Sequence, residues 1–457
     1  AIPAAERQAL IDLYLATGGD AWYNHDNWRK PGDPTQFNDP GTENTWRGVV
    51  TDGSNSTVLC LYLYGNNLIG SIPGSMGNLT NLKILWLDLN RQLSGGLPPS
   101  FWNLMSLEEL HLSYTPILGG HIPQEIGNLT NLKSLQLNSC QLSGPIPETL
   151  KNLTHLVELQ LGSNPFGTFP EILCEMPGLQ ILVLSDTNLE GSIPPCLGQL
   201  SALKRLDLRE NHLTGEIPQA IFNLTNLEQS LDLAGNSLVG AVPSKLGQLT
   251  RLRSLNLEGN QLSGPIPVEI GNLKELGDLN LAWNRFNGSI PESLGNLTKL
   301  GRVEFESNQF SGNIHASLGN LSQVYHLNFA YNQLEGSIPE SLGNLPNLQY
   351  LFLNNNRLTG NLPASFGNLN KLLYLYLDGN KLSGTIPSAL GNLIQLKELR
   401  LQYNRFSGTI PAEIGNLTQL DRLGLGDNQL SGIIPSSLVN LVNIFGMDIS
   451  FNALHTD

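Results

Sequence analysis

Seventeen anchor residues recur along the 457-residue chain, each closing a phrase of the form L-x-x-L-x-L-x-x-N-x-L-x-G-x-I-P. They fall at Asn66, Asn90, Thr115, Cys140, Asn164, Thr187 and Asn211, then in an unbroken 24-residue step from Asn236 to Asn452. A unit of this length cannot bury its own apolar face. It buries that face against the next copy, so a fixed period in this range predicts a solenoid rather than a globule.

Each repeated residue type has a physical task. Alternation along a strand sends Leu351 and Leu353 inward and Tyr350, Phe352 and Asn354 outward, and stacked copies build one long parallel sheet. The anchor lies where the chain turns out of the strand, and a buried amide there can bond backbone groups that the turn leaves unpaired. Cys140 at that position reads as a small hydrophobe with a weak donor rather than a reactive thiol. The recurring Gly supplies positive φ or close approach to the next coil, and the recurring Pro holds an extended segment. His315 replaces that Pro once, and it reads as a surface substitution.

The segment Gly-Ser-Ile-Pro-Glu-Ser-Leu-Gly-Asn-Leu at 288–297, repeated at 336–345, resembles the plant-type leucine-rich repeat. Receptor-like kinases, receptor-like proteins and polygalacturonase inhibitors share that repeat, and the likeness covers about residues 59 to 454. The resemblance implies an α/β repeat solenoid: a right-handed superhelix with a long parallel concave sheet, a second sheet on its side, a convex side of short 3-10 turns and loops, and a helical N-terminal cap. It also implies binding without catalysis, with a peptide, protein or oligosaccharide ligand on the concave face and room for a co-receptor. The family staples its cap with a Cys pair around a W-x-G-V motif. Here that motif is Trp46-Arg47-Gly48-Val49, with no Cys beside it.

Residues 1–57 are expected to form the cap, with an amphipathic helix over 4–17 ended by Gly18-Gly19 and a loop holding Trp22, Trp28 and Trp46. Residues 58–457 hold the repeats. The chain stops five residues after its last anchor with no C-terminal cap in the sequence, so apolar side chains of the last coil are expected to be exposed and the chain reads as a fragment. No apolar run reaches the roughly 18 residues that a membrane span needs. The N-terminus lacks a signal peptide's pattern, so an extracellular or cell-surface reading presumes one already removed. A net charge of −14 argues against a nucleic-acid partner, which needs a basic stripe.

Four cysteines are too few for a disulfide scaffold. Cys174 and Cys196 nevertheless lie one position out of register in neighbouring copies, within bridging reach, whereas Cys60 and Cys140 are too far apart along the stack to pair. Nine N-x-S/T sequons, at Asn55, Asn78, Asn128, Asn152, Asn223, Asn287, Asn296, Asn320 and Asn416, point to a secreted glycoprotein. Most use the Asn of the repeated G-N-L, which is partly a scaffold residue, so several rather than all are expected to carry glycan.

Positions that vary between copies are free for a ligand, and in the outward columns one cluster stands out. Tyr350 and Tyr374 follow each other in one column, Phe352 and Tyr376 in the next, flanked by His326, Asn328 and Tyr331 and by Asp378, Glu398, Arg400, Gln402 and Tyr403. Rings with polar tips beside Arg and carboxylates have the composition of interface hot spots, although aromatic residues also suit exposed strand positions for their own sake. A secondary patch comprises Tyr64, Asp88, Glu109, His111 and Tyr114, beside Tyr62 and Trp86, which read as cap packing. No phosphate loop, metal-ligand spacing, cofactor motif or nucleophile elbow is present, and single carboxylates such as Glu304 and Glu306 show no partner arrangement. Catalytic, metal and cofactor roles are therefore not expected. A receptor-like recognition domain leads, with a matrix-adhesion or enzyme-inhibitor scaffold as the alternative.

Overall fold

The computed structural model describes residues 1–456, which divide into two compact units, Ala1–Thr214 and a second beginning at Gly215. The first unit opens with a helix, Ala4–Ala16, one residue shorter than the sequence suggests because Thr17 turns out of it. Gly18, at φ 70°, then takes the left-handed conformation that ends the helix, and Gly19 abuts the Tyr14 ring so closely that any side chain there would collide with it. The Trp-rich segment is not all loop. A hairpin of Arg29–Lys30 and Asp33–Phe37 runs through it, turning at Pro31-Gly32.

Aromatic stacking holds this cap together, at the place where the resemblance implied a Cys pair. Tyr14 stacks on Trp28 at 5.4 Å, Trp28 meets Trp46 at 4.9 Å, and the Arg29 guanidinium lies over Phe37 at 4.2 Å and Tyr14 at 5.0 Å. Glu6, buried on the helix, accepts from the Val58 N–H and the Thr57 hydroxyl, both at 2.7 Å, and so ties the helix to the first repeat strand. That strand, Val58–Tyr62, pairs antiparallel with Val49–Thr51 and parallel with Ile84–Trp86. The parallel ladder then continues through Glu109–His111, Ser134–Gln136, Glu158–Gln160 and Ile181–Val183 to Arg205–Asp207.

In the second unit the ladder runs in strict register from Ser230–Asp232 to Gly446–Asp448. Its inward residues, such as Leu327, Leu351 and Leu375, are fully buried. Most coils form a second short strand after the anchor, as in Gln309–Asn313, the coil after Asn356 keeping only isolated bridges at Thr359 and Asn361, and each returns through a 3-10 turn such as Ala316–Asn320. Within that strand Gly312 sits at φ 73°, a conformation that its counterparts in the neighbouring coils share. His315 accepts from the Ser317 N–H and caps its 3-10 turn from the surface.

The anchors form the internal spine. Asn332 Nδ2 donates to its own coil's Phe329 and Ala330 carbonyls at 3.2 and 3.1 Å and to Phe305 O of the coil before at 2.9 Å, while its Oδ1 accepts from Phe310 N–H at 3.0 Å. One amide thus saturates four backbone groups in two coils. Thr115, Cys140 and Thr187 each close a coil that is one residue longer or shorter than 24. In two of these the backbone satisfies itself, Leu93 N–H turning back to Asn90 O and Phe166 N–H to Asn164 O. The anchor departs from Asn only where coil length departs from 24, although Asn236 also closes a coil of 25.

Cys174 and Cys196, in the 3-10 turns Glu171–Glu175 and Pro195–Gln199, form a disulfide with Cα atoms 5.7 Å apart. Cys60 and Cys140 are free. In the last coil Val439, Val442, Phe445 and Phe451 are exposed.

Candidate ligand-binding face

The outward side chains of the second unit's sheet lie in columns because each strand meets the next without a register shift. Tyr350 pairs with Tyr374 and Phe352 with Tyr376, and with strands about 4.8 Å apart the rings must touch. Tyr350 and Tyr374 stack at 5.4 Å and 8°, and Phe352 meets Tyr376 at 4.7 Å. His326 packs its ring on Tyr350 at 5.2 Å and edge-on to Phe352 at 5.5 Å. The result is a continuous half-buried aromatic shelf across three strands.

Charged groups brace both ends of the shelf. At one end the Tyr376 hydroxyl donates to Glu398 at 2.7 Å, and Arg400 bonds the same carboxylate at 2.7 Å with its guanidinium 4.1 Å from the Tyr376 ring centroid. Burial raises Glu398's pKa, but the Tyr376 hydroxyl and Arg400 outweigh it and hold the group below the usual carboxylate range. Burial, and then the bond to Glu398, push the Tyr376 phenol well up. At the other end the sequence reading of Glu304 and Glu306 as carboxylates without partners is wrong. His326 Nε2 lies 2.6 Å from Glu304 Oε1, off the line of a hydrogen bond, Arg302 reaches the same oxygen at 3.1 Å, and Glu306 accepts from Asn328 at 3.0 Å. Arg302 stands two residues earlier on the same strand, whereas His326 and Asn328 sit one strand away, a relation that a register of 24 makes and a linear sequence hides.

Tyr331 and Tyr403 stand apart from the shelf. Each occupies the position just before an anchor, with φ of 55° and 58°, where other copies place Gly235, Gly259 and Gly379 or the small polar residues Ser307, Asn355 and Asp427. Both are more than half exposed, and Trp283, two coils before Tyr331, shares the same position and exposure. A bulky residue in the left-handed region costs on the order of 1 kcal/mol relative to glycine. With Phe451 before the last anchor, four exposed aromatics of this unit are held at that cost and form a rim that the sequence reading found only in part; the column just before the anchors carried the signal.

Beside the shelf, on the column two residues before the anchors, Asn354, Asp378 and Gln402 follow one another. Backbone bonds keep them in register, Asn355 N–H to Asp378 O at 2.8 Å and Gly379 N–H to Gln402 O at 3.1 Å. Asn354 Oδ1, Asp378 Oδ1 and Gln402 Oε1 are buried and accept no hydrogen bond from another residue. Burial raises the Asp378 pKa, opposed by its own N–H and by the Arg400 charge.

The secondary patch in the first unit is assembled differently. Trp86 stacks on His111 at 5.1 Å and 7°, packs against Tyr62 at 4.8 Å and donates to Glu109 at 3.1 Å. His111 reaches Ser134 at 3.0 Å, and Asp88 Oδ1 accepts from Ser113 N–H at 2.9 Å. Only Tyr64 and Tyr114 are exposed. The charged residues between the patches are self-paired, with buried Asp207 held by Arg205 at 3.2 Å. Of the sequons, Asn78, Asn128, Asn152, Asn223, Asn287, Asn296, Asn320 and Asn416 are exposed. Asn55 is half-buried, with its amide donating to Gly41 O.

No helix among the described residues is long and apolar enough to cross a membrane. Residues 170–335 and 304–456 match a family model described as a leucine-rich repeat region, and 57–79, 106–129 and 131–153 match one described as a leucine rich repeat. No curated protein sequence matches the chain. Among solved structures, the plant peptide hormone receptor RGFR1 in complex with RGF2 is similar at 32% identity over 85% of this chain and 70% of that one, with a TM-score of 0.71. The Arabidopsis receptor kinase HAESA, in complex with the peptide hormone IDA and the co-receptor SERK1, is similar at 29% identity over 99% and 90%, with a TM-score of 0.62. A leucine-rich-repeat protein of Leptospira interrogans is similar at 32% identity over 85% and 95%, with a TM-score of 0.68.

Proposed function

The chain belongs to the leucine-rich repeat family, and on that premise we propose that it is an extracellular, receptor-like recognition module that binds a peptide or protein on the outward sheet face between His326 and Tyr403. The observation that carries this reading is the shelf of Tyr350, Phe352, Tyr374 and Tyr376, four contiguous rings lying open on a scaffold that does not need them there. Large rigid rings supply contact area at low entropic cost, and a charged rim of Glu398 and Arg400 supplies orientation. The peptide-hormone complexes of RGFR1 and HAESA support the ligand class, and the SERK1 complex supports a co-receptor.

The test is peptide selection from a random display library on the pure chain. Alanine at all four ring positions is expected to abolish binding of the selected peptides, with the thermal midpoint nearly unchanged; undiminished affinity sinks the site. The extracellular setting has its own check. Expressed through a eukaryotic secretory pathway, the chain should lose mass on deglycosylation; a chain without glycan removes the support that the sequons give.

A further inference from the structure

Three buried oxygens without donors, side by side on adjacent strands, need a reason. Buried polar atoms are ordinarily satisfied, and leaving one unpaired destabilises a fold. Here Asn354 is only 7% exposed, and its Oδ1, like Asp378 Oδ1 and Gln402 Oε1, finds no donor in the protein. The nearest strong donor, Arg400, is committed to Glu398 and to the Tyr376 ring. In the next coil the outward positions beside the column are Gly424 and Gly426, Gln402 Oε1 lies where a side chain at 424 would stand, and the third outward residue, Arg422, lies with its guanidinium over the Phe445 ring. The column thus offers acceptors on strands about 4.8 Å apart, one of them a carboxylate, beside an aromatic shelf and at the edge of a gap.

We infer that this column is a subsite for a cationic side chain of the bound peptide, a guanidinium or ammonium that donates to Asp378 and its neighbours Asn354 and Gln402 while its stem lies along Phe352 and Tyr376. The inference rests on the reading of this face as the ligand site. A guanidinium carries five N–H donors in one plane and no acceptor, so it fills a row of acceptors without leaving a group of its own unmatched; an ammonium does the same with three donors. Aromatic faces beside the row favour a cation further. An anionic or purely apolar side chain would leave all three oxygens unpaired and bring no compensation.

The experiment uses the full chain, a random peptide display library and two single variants, each checked for a cooperative thermal transition that shows it folded at the temperature of the binding assay. Peptides selected on the wild type are expected to share a Lys or Arg at one position. Asp378→Asn should weaken them about ten- to hundredfold, the range for a lost charge-assisted hydrogen bond. Asn354→Asp, which adds a charge to the same column, should tighten them. Replacing the shared basic residue by norleucine in a synthetic peptide should cost the wild type as much as Asp378→Asn does, and cost the Asp378→Asn variant little more. Peptides with no shared basic residue, or affinities indifferent to both variants, overturn the subsite. If Phe352→Ala still abolishes such binding, the site stands and only its cation preference falls. If Phe352→Ala is also silent, or no peptide is selected, the reading of the face falls with it.

Discussion

Asp88 and Asp378 occupy the same repeat position, two residues before an anchor and beside a cluster of rings, yet their surroundings differ in kind. Asp88 Oδ1 accepts from Ser113 N–H, the Trp86 indole donates to Glu109, and His111 reaches Ser134. Asp378 Oδ1 accepts from no other residue, nor do Asn354 Oδ1 and Gln402 Oε1 on either side of it. In the first unit the polar groups that face the rings are matched within the protein, as in a structural interface with the cap. In the second the rings are braced while the acceptors beside them stay open. An aromatic cluster alone therefore says little about function; whether its polar neighbours already have partners separates packing from recognition.

The foundations beneath the two patches differ as well, and this gives the largest expected effect. Below the shelf, Asn380 donates to Leu353 O at 2.9 Å and Leu377 O at 3.0 Å and accepts from Leu358 N–H at 3.0 Å. Asn380→Thr strands buried groups in two coils and is expected to cost roughly 2–4 kcal/mol, read from urea unfolding. The reciprocal Thr115→Asn should gain less than about 1 kcal/mol, because Leu93 N–H already bonds Asn90 O and offers the new amide no donor. Equal and opposite effects would show that anchor identity acts independently of coil length.

Much of this architecture is readable from the period alone. The step of 24 places Leu351 inside and Tyr350 outside, identifies the anchors, and puts Cys174 near Cys196. It does not show pairings between coils, because these depend on side-chain reach across a strand rather than on sequence distance. Glu304 met His326 and Glu306 met Asn328 that way, against expectation. The hairpin at 29–37 was masked by its polar strand residues, although Pro31-Gly32 marked its turn. The rim of Trp283, Tyr331, Tyr403 and Phe451 emerges only when φ shows that these rings stand where other copies use glycine or a small polar residue. Above all, the vacancy beside Asn354, Asp378 and Gln402 is a statement about missing donors, and a sequence does not say which donors will be near.

The smallest expected effect tests that vacancy without a ligand. Burial raises the Asp378 pKa above its unfolded value, with no donor from another residue to offset it. In the interval between the unfolded and folded values the native state holds the proton more readily, so this carboxyl makes the native state lose stability as pH rises through that interval. At neutral pH the ionised group is a net cost, on the order of 1 kcal/mol for one unmatched buried polar group. Asp378→Asn should therefore stabilise the free protein at neutral pH, and the gain should fade once the pH falls below the normal carboxylate range, where both variants are uncharged. Burial raises Asp88 too, but His111 and the Ser113 N–H oppose it. Asp88→Asn should accordingly gain less, or lose. Thermal midpoints of the two variants across pH 3–8 check this ordering; a larger gain at Asp88 would mean that its bonded carboxylate is the poorly housed one, and the contrast between the two patches would collapse.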